Sequence, residues 1–217
     1  MKKPGQVTIV YEDKNLLAIN KPAFLPVHPG FNKRDFTLID WLDKKYPPKG
    51  TIQLLNRIDK ETSGIVLAAK NEAFLQKFNK ELSKDIYKEY IVMIRKPKKK
   101  ITEINFPLQG IYRDKNKAMP ALTKVVSFQP LKDRVSLLHV SLVTGRTHQI
   151  RRHFKMVGSP VVGDFQYGDI HLNKRFRKDY KLRRQFLHAY KVKIKGFPEI
   201  TAQLPIDLEK TLQLLKL

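Results

Sequence analysis

Residues 55–64 read LNRIDKETSG and place one carboxylate, Asp59, on a polar turn between two apolar runs. The runs at 52–58 and 65–69 are rich in branched aliphatic residues, which favours two strands joined by this turn. Aspartate, threonine and serine are common in turns because their side chains bond to the nearby backbone. The stretch therefore predicts a strand-turn-strand unit that presents Asp59, and from the local sequence alone a purely structural role for this aspartate stays open.

The apolar pattern on both sides of this turn predicts more strands than helices. Most connections are hairpin-like, which favours an α+β fold with a mainly antiparallel sheet. Further strands are predicted at 7–11, 16–20, 87–94, 122–128, 135–143 and 186–194. Helices are predicted from a cap at Asp35 or Thr37 to Tyr46, from a cap at Asn71 through Leu82, over 147–157 and over 206–215. Residues 101–120 predict a loop with a short strand, and the charged segment 163–184 is predicted to lie outside the core.

Positive charge is the strongest feature of the composition. The 217 residues include 43 Lys and Arg against 20 Asp and Glu, a formal net charge of +23. Residues 145–195 hold 14 of these cations and three aspartates, interleaved with aromatic residues, and 95–100 form a second basic cluster. Cations suit phosphates, and rings can stack on bases. The excess indicates a polyanionic partner, because released counterions supply affinity; a merely basic, solvated surface is the alternative.

Several classes of protein are excluded by what the sequence lacks. Cysteine is absent, which excludes disulfides, thiolate catalysis and cysteine-based zinc sites. His148 and His153 lie five residues apart and no HExxH pattern occurs, so no metal site is expected. No apolar run approaches the roughly 18 residues of a membrane span, and no signal-like segment begins the chain. We expect a soluble, cytoplasmic protein that does not bind membranes.

Five blocks of the sequence resemble, in order, the motifs of the RluA family of pseudouridine synthases. They are NKPAFLPVHP at 20–29, LNRIDKETSG at 55–64, KEY at 88–90, VTGRTHQIRRH with GSPVVGD at 143–164, and LHA at 187–189. One such block is weak evidence, whereas five in order leave little room for coincidence. The resemblance implies a mixed, mainly antiparallel sheet with flanking helices and a central basic cleft. It also implies that 1–217 form a single catalytic domain without the N-terminal S4-type RNA-binding domain of many relatives.

The resemblance implies an enzyme that flips a uridine out of an RNA and isomerises it to pseudouridine. Asp59 is then the catalytic carboxylate, Arg151 its ion-pair partner, and Tyr90 the ring that stacks on the flipped base. A carboxylate nucleophile has to be ionised, and a neighbouring guanidinium opposes the rise in pKa that burial causes. A phosphate-binding Arg151 and a merely structural Tyr90 stay open. Arg57 is implied to fill the gap that the flipped nucleotide leaves. The other cations expected to bind RNA are Arg146, Arg152, Lys155, Lys174, Arg175 and Lys178.

One residue departs from the family motif, because Asn56 stands where the family carries histidine. An amide can replace one imidazole hydrogen bond, so we interpret this change as tolerable. The isomerisation neither adds nor removes atoms, so we expect no cofactor and no metal. No long heptad pattern occurs, and we expect a monomer.

Residues 168–176 read GDIHLNKRF and resemble an insertion in the tRNA-modifying branch of this family. We therefore expect a tRNA substrate, with a target of the uridine-65 type in the acceptor and T-arm region. An rRNA target within the same family is the first alternative. A non-catalytic basic RNA-binding protein is the second. A nucleoside glycosidase is the third, and it would need a second carboxylate, for which Glu61 is the only nearby candidate.

Overall fold

The computed structural model describes residues 5–30, 35–111 and 117–216, and the chain divides into two compact units. The first unit comprises residues 1–87 and 189–203, and the second comprises 88–188 and 204–217. Each unit is therefore built from two separate segments of the chain. In the ranges that the structure describes, no helix is both long enough and apolar enough to cross a membrane.

The described residues form twelve strands and five α-helices. The strands are β1 Thr8–Glu12, β2 Leu16–Lys21, β3 Gln53–Leu54, β4 Ser63–Ala69, β5 Tyr87–Arg95, β6 Glu103–Ile104, β7 Leu108–Gln109, β8 Ala118–Met119, β9 Thr123–Pro130, β10 Val135–Leu142, β11 Leu187–Lys193 and β12 Ile200–Thr201. The helices are α1 Leu38–Lys45, α2 Glu72–Lys77, α3 Gln149–Met156, α4 Ile170–Asp179 and α5 Ile206–Lys216. A π-helical turn, Phe78–Leu82, follows α2.

The sheet of the first unit has two strands that are buried along almost their whole length. Its strands run in the order β1-β2-β4-β11, with β3 paired to β4 and β12 paired to β11. All seven residues of β4 are buried, as are five of the six in β2. Burial on both faces explains why these strands are continuous apolar runs and do not alternate with polar residues.

Helix α2 covers one face of this sheet. Phe74 and Phe78 belong to a core cluster that also includes Leu16 and Ile65. Burying each such side chain contributes about 1.5–3 kcal/mol. The helix begins where the sequence predicts, because the Asn71 side chain accepts a hydrogen bond from the Phe74 N–H at 2.9 Å. Such a cap satisfies one of the unpaired N–H groups of the first turn.

The second unit contains an antiparallel sheet in the order β5-β10-β9-β6. Strand β5 is buried from Glu89 to Ile94, and β10 pairs with it along seven residues. Helix α3 buries Ile150 and Phe154, as its apolar stripe predicts. The predicted α+β class with a mainly antiparallel sheet is confirmed.

The prediction that residues 163–184 lie outside the core is wrong. The segment contains helix α4, whose Phe176 is fully buried, and Arg184 is 1% exposed. The Arg184 guanidinium is paired with the Asp207 carboxylate at 2.7 Å, and such pairing is what makes a buried charge tolerable. Asp169 caps α4 by accepting from the Leu172 N–H at 3.0 Å. That hydrogen bond is the main reason why the pKa of Asp169 is lowered.

Two other predicted segments differ in extent. The run at 52–58 forms only the two-residue strand β3 before the chain turns away from the sheet. Three short strands, β6 to β8, occur between 101 and 120, where one was predicted. Residues 112–116 of that loop lie outside the described residues.

Gly64 allows the backbone of β4 to approach that of β11 closely. Its φ is +112°, and a Cβ built on it would lie 2.2 Å from the Ala189 carbonyl oxygen. We expect Gly64→Ala to lower the free energy of unfolding by at least about 3 kcal/mol, because both the strained backbone and the steric clash oppose it. Gly50→Ala is the matched control, since Gly50 also has positive φ (+84°) but no atom within 4 Å of a Cβ. It should cost only about 1–2 kcal/mol. Equal losses in urea unfolding would contradict the close-approach argument.

Candidate active site

The loop at 55–62, here called the Asp59 loop, leaves the sheet through a side-chain hydrogen bond. After β3, the Leu55 N–H donates to the Leu67 carbonyl at 2.8 Å. At the next residue a side chain replaces the backbone as the hydrogen-bonding group, because Asn56 Oδ1 accepts from the Leu67 N–H at 2.7 Å. The amide that stands where the family carries histidine thus ties the start of the loop to β4.

A buried lysine holds the same loop further along. Lys21 is 0% exposed. Its Nζ donates to three backbone carbonyls, those of Pro22 at 2.9 Å, Leu25 at 2.8 Å and Lys60 at 3.3 Å. The Phe24 N–H donates to the Lys60 carbonyl as well, at 2.7 Å. Carbonyl oxygens replace the water that a buried ammonium loses. The peptide between Lys60 and Glu61, one residue beyond Asp59, is therefore fixed by two donors, one of them charged.

The Asp59 loop presents a carboxylate and an exposed arginine. Asp59 is half-buried and Arg57 is exposed. The Thr62 N–H donates to the Asp59 carbonyl at 3.1 Å and closes the turn. Partial burial lowers the pKa of His28, and the positive charge of Arg57 lowers it further. The loop therefore holds Asp59 on a constrained backbone, as precise positioning of a reactive group requires.

In the second unit, Arg151 is clamped by Asp164. The Arg151 side chain on α3 is 9% exposed, and that of Asp164 is 0% exposed. Arg151 Nε donates to one carboxylate oxygen at 2.7 Å, and a terminal nitrogen donates to the other at 3.0 Å. Two parallel bonds fix the plane of a guanidinium. The Tyr167 ring also lies 5.0 Å from the guanidinium carbon. The orientation of Arg151 is thus set by side chains of its own unit.

Asp164 is itself held by the backbone of the loop that follows it. One carboxylate oxygen accepts from the N–H groups of Gln166 at 2.9 Å and Tyr167 at 3.0 Å. The Asp164 carbonyl accepts from the Gly168 N–H at 3.0 Å and from Asn173 Nδ2 at 2.8 Å. The acid that orients Arg151 is therefore part of a rigid turn that leads into α4.

The sequence did not reveal this role of Asp164. Its signals are its place at the end of the GSPVVGD block and as one of three aspartates in a strongly cationic segment, and neither specifies a partner. Arg151 faces into the protein, because the residue is only 7% exposed. Its charge is accommodated inside the protein by the bidentate carboxylate, a partner that the periodicity of a helix cannot show.

Tyr90 and Lys88 lie on one face of β5. Tyr90 pairs with Val140 of β10 and is 7% exposed. Burial lowers the pKa of Lys88, two residues earlier. Side chains two residues apart in a strand point to the same side. The KEY motif therefore places an aromatic ring and an ammonium group next to each other.

Among the cations predicted to bind RNA, those that lie fully at the surface are Arg57, Lys155, Lys174, Arg175 and Lys178. Lys174 and Lys178 lie one turn apart on α4 and thus share a face of that helix. Arg175 is partly committed, because it forms an ion pair with Asp133 at 3.7 Å and donates to its carbonyl at 2.8 Å. Helix α4 therefore offers a lysine ridge that can contact phosphates.

The other two predicted RNA-binding arginines are half-buried and brace loops. Arg146 Nε donates to the Pro120 carbonyl at 3.1 Å, and Arg152 donates to the Gln109 carbonyl at 2.9 Å. A guanidinium has further donors, so these bonds leave a role at an RNA surface compatible with the geometry.

The predicted catalytic residues and Arg57, which is predicted to bind RNA, fall in both units. Asp59 and Arg57 belong to the first, and Tyr90 and Arg151 belong to the second. The pairing of Asp59 with Arg151 stays a prediction. Each unit separately holds its own candidates on a braced element, the Asp59 loop in one and the Arg151–Asp164 pair in the other.

Within the described residues, no group of three or more His, Asp or Glu side chains has a geometry that could hold a metal ion. His153 is 0% exposed and lies 3.0 Å from the Thr123 hydroxyl and 2.9 Å from the Phe106 carbonyl. Burial lowers its pKa, so the ring is neutral at pH 7. Both ring nitrogens have protein partners, which is the arrangement of a structural histidine.

The family is shown by comparison with known proteins. Residues 15–156 match the model of the family described as RNA pseudouridylate synthase, and the chain belongs to this family. The match confirms the resemblance drawn from the five motif blocks. It covers the Asp59 loop, the KEY motif and helix α3.

Two relatives differ in the RNA that their names specify. A ribosomal large subunit pseudouridine synthase C of Pasteurella multocida is 32% identical over 195 residues, which are 85% of this chain and 59% of that protein. A tRNA pseudouridine synthase C of Haemophilus ducreyi is 31% identical over 202 residues, which are 85% of this chain and 83% of that protein. The chain thus spans about three fifths of the ribosomal relative and most of the tRNA relative.

Solved structures confirm the fold. Human RNA Pseudouridylate Synthase Domain Containing 4 superposes with a TM-score of 0.76 at 22% identity, covering 96% of this chain and 92% of that one. Human RNA Pseudouridylate Synthase Domain Containing 1 superposes with a TM-score of 0.70 at 23% identity, covering 94% of this chain and 86% of that one. The predicted pseudouridine synthase fold is therefore confirmed.

Proposed function

We propose that this protein isomerises a uridine of an RNA to pseudouridine. The observation that carries the proposal is the family match over 15–156, because it contains the three predicted catalytic residues Asp59, Tyr90 and Arg151. The geometry within each unit supports it, since the Asp59 loop is braced and Arg151 has a fixed orientation. A protein that only binds RNA has no need of a carboxylate in an anion-binding surface.

The proposed reaction is an internal rearrangement. The bond between N1 of uracil and C1′ of the ribose breaks and the base turns. C5 then joins C1′ and loses its proton to water, while N1 takes up a proton from water. In our proposal the Asp59 carboxylate assists at the carbon centre as a nucleophile or as an ion-pair partner. Arg151 serves as the ion-pair partner of that carboxylate, and Tyr90 stacks on the flipped base. The steps balance without an oxidant, reductant or second substrate.

The basic surface supports RNA as the substrate. The chain carries a formal net charge of +23, and Lys174 and Lys178 form an exposed ridge on α4. A small neutral nucleoside would gain little from such a surface, whereas a polyanion gains affinity from each phosphate contact.

Within RNA, we propose tRNA as the substrate, with a target of the uridine-65 type. The GDIHLNKRF segment at 168–176 and the large share of the tRNA relative that the chain spans support this choice. An rRNA target is the second candidate, because relatives named for the large ribosomal subunit are as similar in sequence.

Pseudouridine mapping tests the proposal and separates the two substrates. Unmodified tRNA and large-subunit rRNA would each be incubated with the protein and analysed for new pseudouridines. We expect a new site in tRNA. A site in rRNA alone would overturn the choice of RNA and keep the activity. No new site in either RNA would contradict the activity itself.

Neutralising the α4 ridge should weaken RNA binding and its dependence on salt. Replacing Lys174, Arg175 and Lys178 by alanine removes up to three phosphate contacts. The slope of log K against log salt should then fall in magnitude by about 2, at about 0.7–0.9 per contact. A control of equal charge change replaces three exposed lysines near α1, Lys44, Lys45 and Lys49. If both variants keep the wild-type slope, the ridge does not contact RNA.

A further inference from the structure

A basic groove lies in the second unit between the loop after β5 and the outer edge of β9. It has a volume of about 590 Å³. Lys96, Lys98, Lys99 and Lys100 line one side, and all four are exposed. Val126 and Phe128 of β9 line the other side. None of the residues assigned a role in the proposed reaction contributes to it.

The β9 side of the groove is an exposed apolar surface. Val126 is 51% exposed and Phe128 is 44% exposed. Most phenylalanines in folded proteins are buried, so an exposed ring beside cations indicates an interaction site more than a packing role. Among the described residues that line the groove, none is acidic. The groove therefore combines four positive charges with an accessible aromatic face.

The groove persists because β6 covers only the first part of β9. In that pairing Glu103 faces Lys124 and Ile104 faces Thr123, and the Val125 N–H donates to the Thr102 carbonyl at 2.8 Å. Strand β9 continues to Pro130 on its β10 side. Over the described residues, no strand pairs with the outer edge of β9 beyond Val125.

We propose that this groove binds a single-stranded or unstacked segment of the RNA substrate, away from the target uridine. The inference rests on the proposed function. Lysine ammonium groups would contact successive phosphates, and a base would stack on Phe128. Single-stranded nucleic acid is bound in this way by grooves that combine cations with aromatic rings. Such binding needs no particular base sequence, which fits a groove without acidic or amide side chains among those that line it.

RNA fits the groove better than a protein strand does. An open strand edge can accept a peptide, but four lysines in one wall would favour a strongly acidic partner. RNA supplies that charge at every nucleotide and also supplies flat apolar faces for the ring. One chemical class therefore satisfies both walls.

The distance of the groove from Tyr90 allows it to affect which RNA is bound. Lys96 follows Tyr90 by six residues along an extended chain, which corresponds to about 20 Å. An RNA whose target base stacks on Tyr90 can reach the groove with a neighbouring strand or loop. The groove would thereby increase affinity for RNAs that carry an unpaired segment at that distance.

Two groove variants test the proposal in the full-length protein. One replaces Lys98, Lys99 and Lys100 by alanine, and the other is Phe128→Ala. The control replaces three exposed lysines of the first unit, Lys77, Lys80 and Lys84, by alanine. Two probes would be used: a labelled oligouridine of about 12 nucleotides, within the usual span of one such groove, and an unmodified RNA that the wild type isomerises. Circular dichroism melting confirms that each variant is folded.

We expect the lysine variant to bind both probes more weakly and to reduce the magnitude of the salt slope by about 2, at about 0.7 per phosphate contact. Phe128→Ala should weaken binding by about 5-fold or more, the fold-change that matches loss of one stacked base. Both should raise KM for isomerisation and leave kcat at the wild-type value. The control should change affinity by less than about 2-fold.

The outcomes separate this proposal from the proposed function. If wild type isomerises RNA but both groove variants match the control in affinity and slope, the groove proposal is overturned and the open edge is left to a protein partner. If wild type neither binds nor isomerises any RNA, both proposals fail. If the groove variants lose kcat without a change in affinity, the groove proposal is also overturned, because the groove would then act on the reaction and not on binding.

Discussion

Asp59→Asn should abolish isomerisation while RNA binding persists. The substitution keeps the size and polarity of the side chain but removes the negative charge that the proposed chemistry needs. We expect the rate at saturating RNA to fall on the order of 10⁴-fold or more, as it does when an essential catalytic group is removed. The dissociation constant for RNA should change by less than about 3-fold. Single-turnover kinetics and a binding titration on the same RNA measure the two quantities.

Glu61→Gln is the matched control for this experiment. Glu61 lies two residues from Asp59 in the same loop and is also half-buried. The isomerase account predicts nearly wild-type activity for it. A nucleoside glycosidase would need a second carboxylate, so loss of activity in both variants, with release of free uracil, would favour that class. Wild-type activity in Asp59→Asn would refute the proposed role of Asp59.

Asp164→Asn should lower both stability and the rate of isomerisation. The amide nitrogen would face the Nε–H of Arg151, so that two donors oppose each other where a bond of 2.7 Å now exists. Removing one partner of a buried ion pair costs about 3–5 kcal/mol, because the other charge stays buried. We also expect kcat to fall about 10²-fold, because small displacements of a group that positions the reactants have effects of that size. KM should change little, which a general loss of structure would not produce.

Asp207→Asn is the matched control, because it breaks a similar carboxylate–guanidinium pair that has no role in the proposed reaction. Asp207 binds Arg184 through Nε at 2.7 Å and a terminal nitrogen at 3.1 Å, almost the geometry of the Arg151 pair. The Arg184 side chain is only 1% exposed, so this variant also leaves a buried guanidinium without its carboxylate and should lose a similar amount of stability. Its kcat should equal that of the wild type at temperatures well below unfolding. Equal kcat values in both variants would show that Asp164 does not act through Arg151.

Local features of the fold follow from the sequence because their causes are local. The apolar run at 65–69 predicts a strand, and it forms most of β4. Asn71 predicts the start of α2, and Thr37, one of the two caps predicted for α1, is the residue that caps it. A cap acts on N–H groups only three residues away. The turn that presents Asp59 follows from its Asp, Thr and Ser residues in the same way.

Features that depend on distant partners do not follow from the sequence. Arg151 and Arg184 look like solvated charges in a basic segment, yet each is buried and paired with one carboxylate. The partner of Arg151 is Asp164, 13 residues away, and that of Arg184 is Asp207, 23 residues away. Lys21 is buried with its ammonium group bonded to backbone carbonyl oxygens. Because every residue has a carbonyl, the sequence does not show that Lys21 has these partners. Helix α4 was missed because most of its side chains are polar, although its Phe176 is fully buried.

Tritium release from RNA labelled at C5 of uridine tests the central claim most directly. Joining C5 to the ribose requires that its hydrogen leave, so every isomerisation releases one label to water. We predict release by the wild type in step with pseudouridine formation, and none by Asp59→Asn at equal RNA occupancy. Release at the same rate by both proteins, or binding of RNA by the wild type without any release, would contradict the account.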